Sequence, residues 1–209
     1  MGRTRGSTIE ALSIINGDIS ENANISPPKL GIITREFVIP LSQGRQASGA
    51  SALQLLPNTP TGTHLGFDLG TWGTNAPKLT TGDVKVSSTN RYGLWEINLP
   101  YHYEDALPVT LRVSSRMNTT QADTSANVDC VAYLADEEGG IEGTDVCQTE
   151  AADMNTTDVT TTDFVLNPTN MEKAGTIWAR VGIEVVDGST GTAVIGQLLN
   201  MKLICHCRG

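Results

Sequence analysis

The chain is poor in the features that usually announce a function. Aromatic residues make up only 5% of its 209 residues and charged residues 18%. Basic residues are outnumbered 14 to 23, for a formal net charge of −9. A general nucleic-acid binder needs clustered Lys and Arg to neutralise phosphates, so this balance argues against one. No run of about 18 apolar residues is present, so no membrane-spanning helix is expected. The opening stretch, MGRTRGSTIEALS, lacks the apolar segment of a secretory signal, and the expected setting is a reducing one. There is no G-x-S-x-G, H-E-x-x-H or Walker A sequence. His64, His102 and His206 are far apart, and none belongs to a known nucleophile motif. The expectation is a protein that is not an enzyme, with no cofactor and no metal.

Cysteines are few as well: Cys130, Cys147, Cys205 and Cys207. Cys205-His206-Cys207 has the look of a metal tract. In a strand, however, alternate side chains point to opposite faces, so the two thiols share one side and the imidazole takes the other. No second Cys/His pair lies at ligand spacing, and packed thiols are the plainer reading. Cys130 alternates with Val128, Ala132 and Leu134 and reads as core.

What the chain does have is Thr, Ser, Asn and Gly, a composition common in β-rich domains. Up to Arg45 there are five basic and four acidic residues, so the acidity belongs to the body. Residues 1–35 carry sparse apolar positions, and Pro27-Pro28 forbids a helix through their end. That is too little material for a core, and an extended docking or trimerisation arm is expected. From residue 36 the period becomes two. Strands are expected from Phe37, over Thr63–Leu69, Tyr92–Leu99, Leu107–Met117 and Ala126–Ala135, around Phe164 and Leu166, over Thr176–Asp187, and over Thr192–Cys207 as one long strand or two joined by a bulge near Gly196. Residues 70–82 read as loop. Asp187-Gly188 reads as a hairpin turn. About eight strands whose faces alternate imply an all-β fold, a jelly-roll-like antiparallel β-sandwich over residues 36–209.

Residues 121–163 hold eleven acidic residues and no Lys or Arg. Around Gly139-Gly140 this reads as a solvated acidic hairpin tip, with bound calcium as the alternative, since its spacing matches no EF-hand. Glu96 and Glu184 could form a glycosidic carboxylate pair, but outward-facing strand positions explain them more simply. Trp95 belongs to a core face. Trp178 lies on the face opposite Ile177, and with Arg180 and Val186 it marks a candidate subunit interface. Trp72, flanked by glycines, is the best candidate for stacking on a sugar.

Residues 16–30, NGDISENANISPPKL, resemble a short motif of tailed-bacteriophage fibre proteins. The matching parts are Gly17-Asp18-Ile19, Ala23-Asn24-Ile25 and Lys29-Leu30; Pro27-Pro28 departs from the usual single small polar residue. The body is similar to small β-sandwich proteins of environmental phage genomes at Thr110–Val113, at Ala122–Asp129, at Asp187-Gly188 with Ala193–Gly196, and at the Arg208-Gly209 end. The resemblance implies a phage virion structural protein, of the capsid-decoration or head-fibre type, assembled in the bacterial host cytoplasm. Its arm would dock on the major capsid protein or another virion protein through Arg3 and Arg5 and the apolar anchors Ile9, Leu12, Ile19, Ile25 and Leu30. A homotrimer is the expected unit. The alternative is a tail fibre or receptor-binding tip that recognises a host-surface glycan, with Trp72, Tyr101 and Tyr103 exposed on one rim.

Overall fold

The computed structural model describes residues 31–46, 54–71, 73–135 and 140–208. Among them are eleven strands: β1 (Ile32–Val38), β2 (Gly66–Asp68), β3 (Lys78–Thr80), β4 (Ser88–Asn98), β5 (Val109–Met117), β6 (Ser125–Ala135), β7 (Ile141–Glu142), β8 (Ala152–Asp153), β9 (Thr160–Leu166), β10 (Thr176–Val186) and β11 (Gly196–Arg208). The only helical piece among the described residues is a 3-10 turn, Leu41–Gln43. All named strand pairs are antiparallel. One sheet runs β2-β3-β11-β5-β9, with β1 beside the far end of β11; the other runs β4-β10-β6, with β7 and β8 both on β6. The chain passes from one sheet to the other between β4, β5 and β6 and again between β9, β10 and β11. The result is the expected jelly-roll-like β-sandwich.

Several boundaries differ from the sequence reading. The first strand starts at Ile32 and stays in register with β11 to Val38, so position 35 falls inside a sandwich strand. Pro40 then ends the strand and leads into the 3-10 turn. Residues 70–82 contain β3, which is only three residues long and therefore too short to show a period. The last strand begins at Gly196, and its register shift falls between Leu198 and Asn200, so Leu199 carries the bulge. Asp187-Gly188 is not a hairpin turn, because β10 and β11 belong to different sheets. The arm residues Arg3, Arg5, Ile9, Leu12, Ile19, Ile25 and Leu30, and Trp72, lie outside the described residues.

The core follows from the alternation. Ile177, Ala179, Val181, Ile183 and Val185 of β10 face inward with Val128, Cys130 and Ala132 of β6. Opposite them lie Val109, Leu111 and Val113 of β5, Phe164 of β9, and Met201, Leu203, Cys205 and Cys207 of β11. Small side chains in the middle of one sheet leave room for larger ones from the other, as close packing requires. Cys205 and Cys207 share the inner face with their sulfurs 3.8 Å apart, and His206 points away from them.

Trp95 is fully buried, and its indole lies in a slot made by two glycines. A Cβ at Gly93 would sit 2.6 Å from the Trp95 ring, and one at Gly44 would sit 2.8 Å from it. Leu56 closes the same slot. Gly44 is in place because Arg45 and Leu94 exchange backbone hydrogen bonds of 2.8 and 2.9 Å, which extends the sheet past the edge of β4.

The link between β10 and β11 is held by two carboxylates. Asp187 accepts from Val86 N (2.8 Å), Asp123 N (3.0 Å) and Thr190 Oγ1 (2.6 Å). Asp123 accepts from Gly188 N (2.7 Å) and Ser189 Oγ (2.5 Å). Three loops at one end of the sandwich are thereby tied together.

Two outcomes follow from this packing. Gly93→Ala should cost about 1–3 kcal/mol in a urea melt, the usual cost of overfilling a packed core; an unchanged midpoint would contradict the slot. The Ser189 hydroxyl and the Gly188 amide hold the Asp123 carboxyl down to about 2. A depressed carboxyl stabilises the fold above its unfolded pKa, and that contribution is lost as pH falls through the folded value. The Tm advantage of the wild type over Asp123→Asn should therefore be full above about pH 4 and shrink towards pH 2. A gap that does not change with pH would contradict this.

Candidate functional site

The two outer faces of the sandwich differ in chemistry. On the β11 sheet, Arg112 pairs with Asp163 at 2.7 Å and with Glu36 at 3.4 Å, and Lys202 pairs with Glu36 at 2.7 Å. Thr110 and Ser114 surround this ladder. These charges satisfy one another, with the Asp163 carboxyl held below its usual range by Arg112 and that of Glu36 by Lys202.

The outer face of β4-β10-β6 is built otherwise. Register places its side chains in rows across three strands. Glu96, Trp178 and Tyr133 form one row; Leu94, Arg180 and Val131 form the next. Tyr92, Gly182 and Asp129 form the third, and Asn90, Glu184 and Asn127 the fourth. Trp178, Tyr133 and Tyr92 are each half-buried, so each ring shows part of its surface to solvent. Beside Trp178 a recess of 460 Å³ is lined by Gln43, Arg45, Glu96 and Asn98. At Gly182 a smaller hollow of 70 Å³ is walled by Asn90, Tyr92, Asp129 and Arg180.

The rings have different tasks. The Arg180 guanidinium sits 5.0 Å from the centroid of Tyr92, and His64 meets Tyr92 edge-on at 5.9 Å. Tyr92 is thus held between two neighbours and acts as a wall. No such ring contact holds Trp178 or Tyr133 among the described residues, which leaves them as flat amphipathic surfaces. Arg180 and Asp129 make no ion pair within 4.0 Å among the described residues, and Glu96 and Glu184 make none either. The carboxylates of Glu96, Asp129 and Glu184 and the Arg180 guanidinium are therefore available around the rings, while Asn98 Oδ1 already accepts from Thr176 Oγ1 at 2.8 Å.

The residues singled out from sequence divide as follows. Trp178, Arg180 and Val186 do share the outward face of β10, as the alternation requires. Tyr103 is not on an exposed rim. It is 3% exposed, and its hydroxyl donates to Leu107 O. Burial, then Cys205 and Asp105, push it up to about 12. Tyr101 is exposed, but it lies beside His102, whose carbonyl accepts from Arg208 N at the end of β11, a strand of the opposite sheet. Glu96 and Glu184 lie on neighbouring strands six residues out of register, or about 20 Å apart. That exceeds the spacing of either glycosidase type, roughly 5–10 Å. In the acidic segment, Asp145 accepts from the Ala132 and Cys147 amides, and no group of three or more metal-type ligands forms among the described residues. Tyr133, Tyr92, Asp129 and Gly182 were missed. Alternation put Tyr133 and Asp129 opposite Cys130, but only cross-strand register shows that they flank Trp178 and Gly182.

No family model matches the chain, and no curated protein matches it. Among solved structures it is similar to a CBM22-1 xylan-binding domain from Paenibacillus barcinonensis Xyn10C, at 12% identity and TM-score 0.42, over 86% of this chain and 97% of that one. It is also similar to a xylan-binding module CBM15, at 16% identity and TM-score 0.44, over 82% and 97%. A family 30 carbohydrate-binding module of a Clostridium thermocellum cellulosomal cellulase gives 15% identity and TM-score 0.40, over 78% and 91%. The β-sandwich is read from this chain's own two antiparallel sheets, and these likenesses carry no argument beyond it.

The open character of the face has a consequence for stability. Arg180→Ala should cost no more than about 1 kcal/mol in a urea melt, the size of an exposed cation–π contact. A loss above about 3 kcal/mol would mean that the side chain belongs to the packed structure.

Proposed function

We propose that this protein is a non-catalytic recognition module that binds a glycan on the outer face of the β4-β10-β6 sheet. The observation that carries this reading is the row Glu96–Trp178–Tyr133, with two rings side by side and a carboxylate at one end. A sugar ring presents C–H groups on its faces and hydroxyls around its rim. Flat aromatic surfaces take the first; carboxylate, amide and guanidinium groups take the second. The contrast with the ion-paired opposite face supports the choice of side. The distance between Glu96 and Glu184 supports binding over hydrolysis.

The fibre-like motif at residues 16–30 supports a setting on a tailed-phage particle, anchored by the residues that precede β1. In that setting the aromatic face favours a receptor-binding tip over a capsid decoration. The same face, with Trp178, Arg180 and Val186, would serve a homotrimer if it were covered by a sister subunit.

Affinity electrophoresis through gels containing soluble polysaccharides separates these readings. At least one polysaccharide should retard the protein. Trp178→Ala and Tyr133→Ala should each weaken the retardation about tenfold or more, which corresponds to about 1.4 kcal/mol. If Trp178→Ala leaves glycan binding intact but converts an oligomer to a monomer, the face is a subunit interface and the glycan reading fails.

A further inference from the structure

Resting on the glycan reading, we infer that the face takes an uncharged oligosaccharide running along β10, held at two separate subsites. The first is the Trp178 recess, bordered by Gln43, Arg45, Glu96 and Asn98. The second is the hollow at Gly182. Of the outward positions of β10, Thr176, Trp178, Arg180, Gly182, Glu184 and Val186, only Gly182 has no side chain. A Cβ there would lie 3.3 Å from Tyr92 Cβ and 3.4 Å from Asn90 Oδ1, so the missing side chain is what keeps the hollow open. Its walls offer a carboxylate acceptor on Asp129, an amide on Asn90 and guanidinium donors on Arg180. That set suits adjacent hydroxyls, which both donate and accept.

Gly182 and Trp178 are four residues apart on one strand, or about 13 Å. A single sugar ring cannot reach both, whereas a chain laid along the strand can. Between them, Leu94 and Val131 flank Arg180 and give an apolar floor. The charge on the face decides against acidic sugars. Glu96, Asp129 and Glu184 outweigh Arg45 and Arg180, and the whole chain carries −9. Each subsite pairs one acid with one base, so a polyanion laid along the strand would meet its net repulsion from the face as a whole.

The test is calorimetric titration of the full chain with neutral hexasaccharides of glucose, xylose, mannose and galactose, with the parent monosaccharides, and with polygalacturonate. At least one neutral hexasaccharide should bind about tenfold or more tighter than its monosaccharide, and polygalacturonate should not bind. Gly182→Ala, which fills the hollow, should weaken that hexasaccharide about tenfold, the scale of a lost hydrogen bond to a charged group. Asp129→Ala, at an exposed position, should do the same without any packing change. Equal affinity for monosaccharide and hexasaccharide, indifference of both variants, or preference for polygalacturonate would overturn the inference while leaving glycan binding in place. If no sugar of any kind binds, the glycan reading itself falls, and the inference with it.

Discussion

Everything proposed for this domain depends on β10 being hydrogen-bonded along both edges. Over its eleven residues it is in register with β4 on one side, and nearly all of it is in register with β6 on the other. Its inward side chains are all buried. A slip by one residue would turn Ile177, Val181 and Ile183 to solvent and drive Trp178, Arg180 and Glu184 into the core. The register is therefore strongly specified. It also fixes what lies beside each outward side chain, so the rows on the outer face come from the core as much as from their own residues.

This explains how much could be read from the sequence. Alternation alone assigns Trp95, Ile97 and Leu99 to the core and Trp178, Arg180 and Val186 to the opposite side, because a period of two survives in strands of about ten residues. It also assigns the Cys205 and Cys207 thiols to one face. It does not reveal which strands are neighbours. Tyr133 and Trp178 are 45 positions apart, and no local pattern links them. The same limit explains the error at Asp187-Gly188. That dipeptide has turn chemistry, but Asp187 accepts from Val86 and Asp123 of two other loops as well as from Thr190 of its own, and the chain crosses between sheets there. Tyr103 failed for a different reason. Burial of a lone tyrosine between short turns leaves no periodic signal.

The two sides of the sandwich also divide stability from recognition. The outer ladder of Arg112, Asp163, Glu36 and Lys202 consists of groups already paired with each other, and such surface networks contribute modestly to folding. The other face leaves charged groups and two rings without strong partners among the described residues. Solvated charges around half-exposed aromatic surface cost the fold little, and they keep free hydrogen-bonding capacity for a ligand. Only Tyr92 is immobilised, between Arg180 and His64, and it shapes a wall in place of a platform.

The most direct test of glycan binding at this face is a titration of isotope-labelled protein with a neutral oligosaccharide, followed by amide and indole NMR signals. The account predicts shifts concentrated at Trp178, Tyr133, Gly182 and Asp129, with β1 and β5 silent. Shifts confined to the Arg112 ladder or to the Tyr101 turn would place binding elsewhere and contradict it.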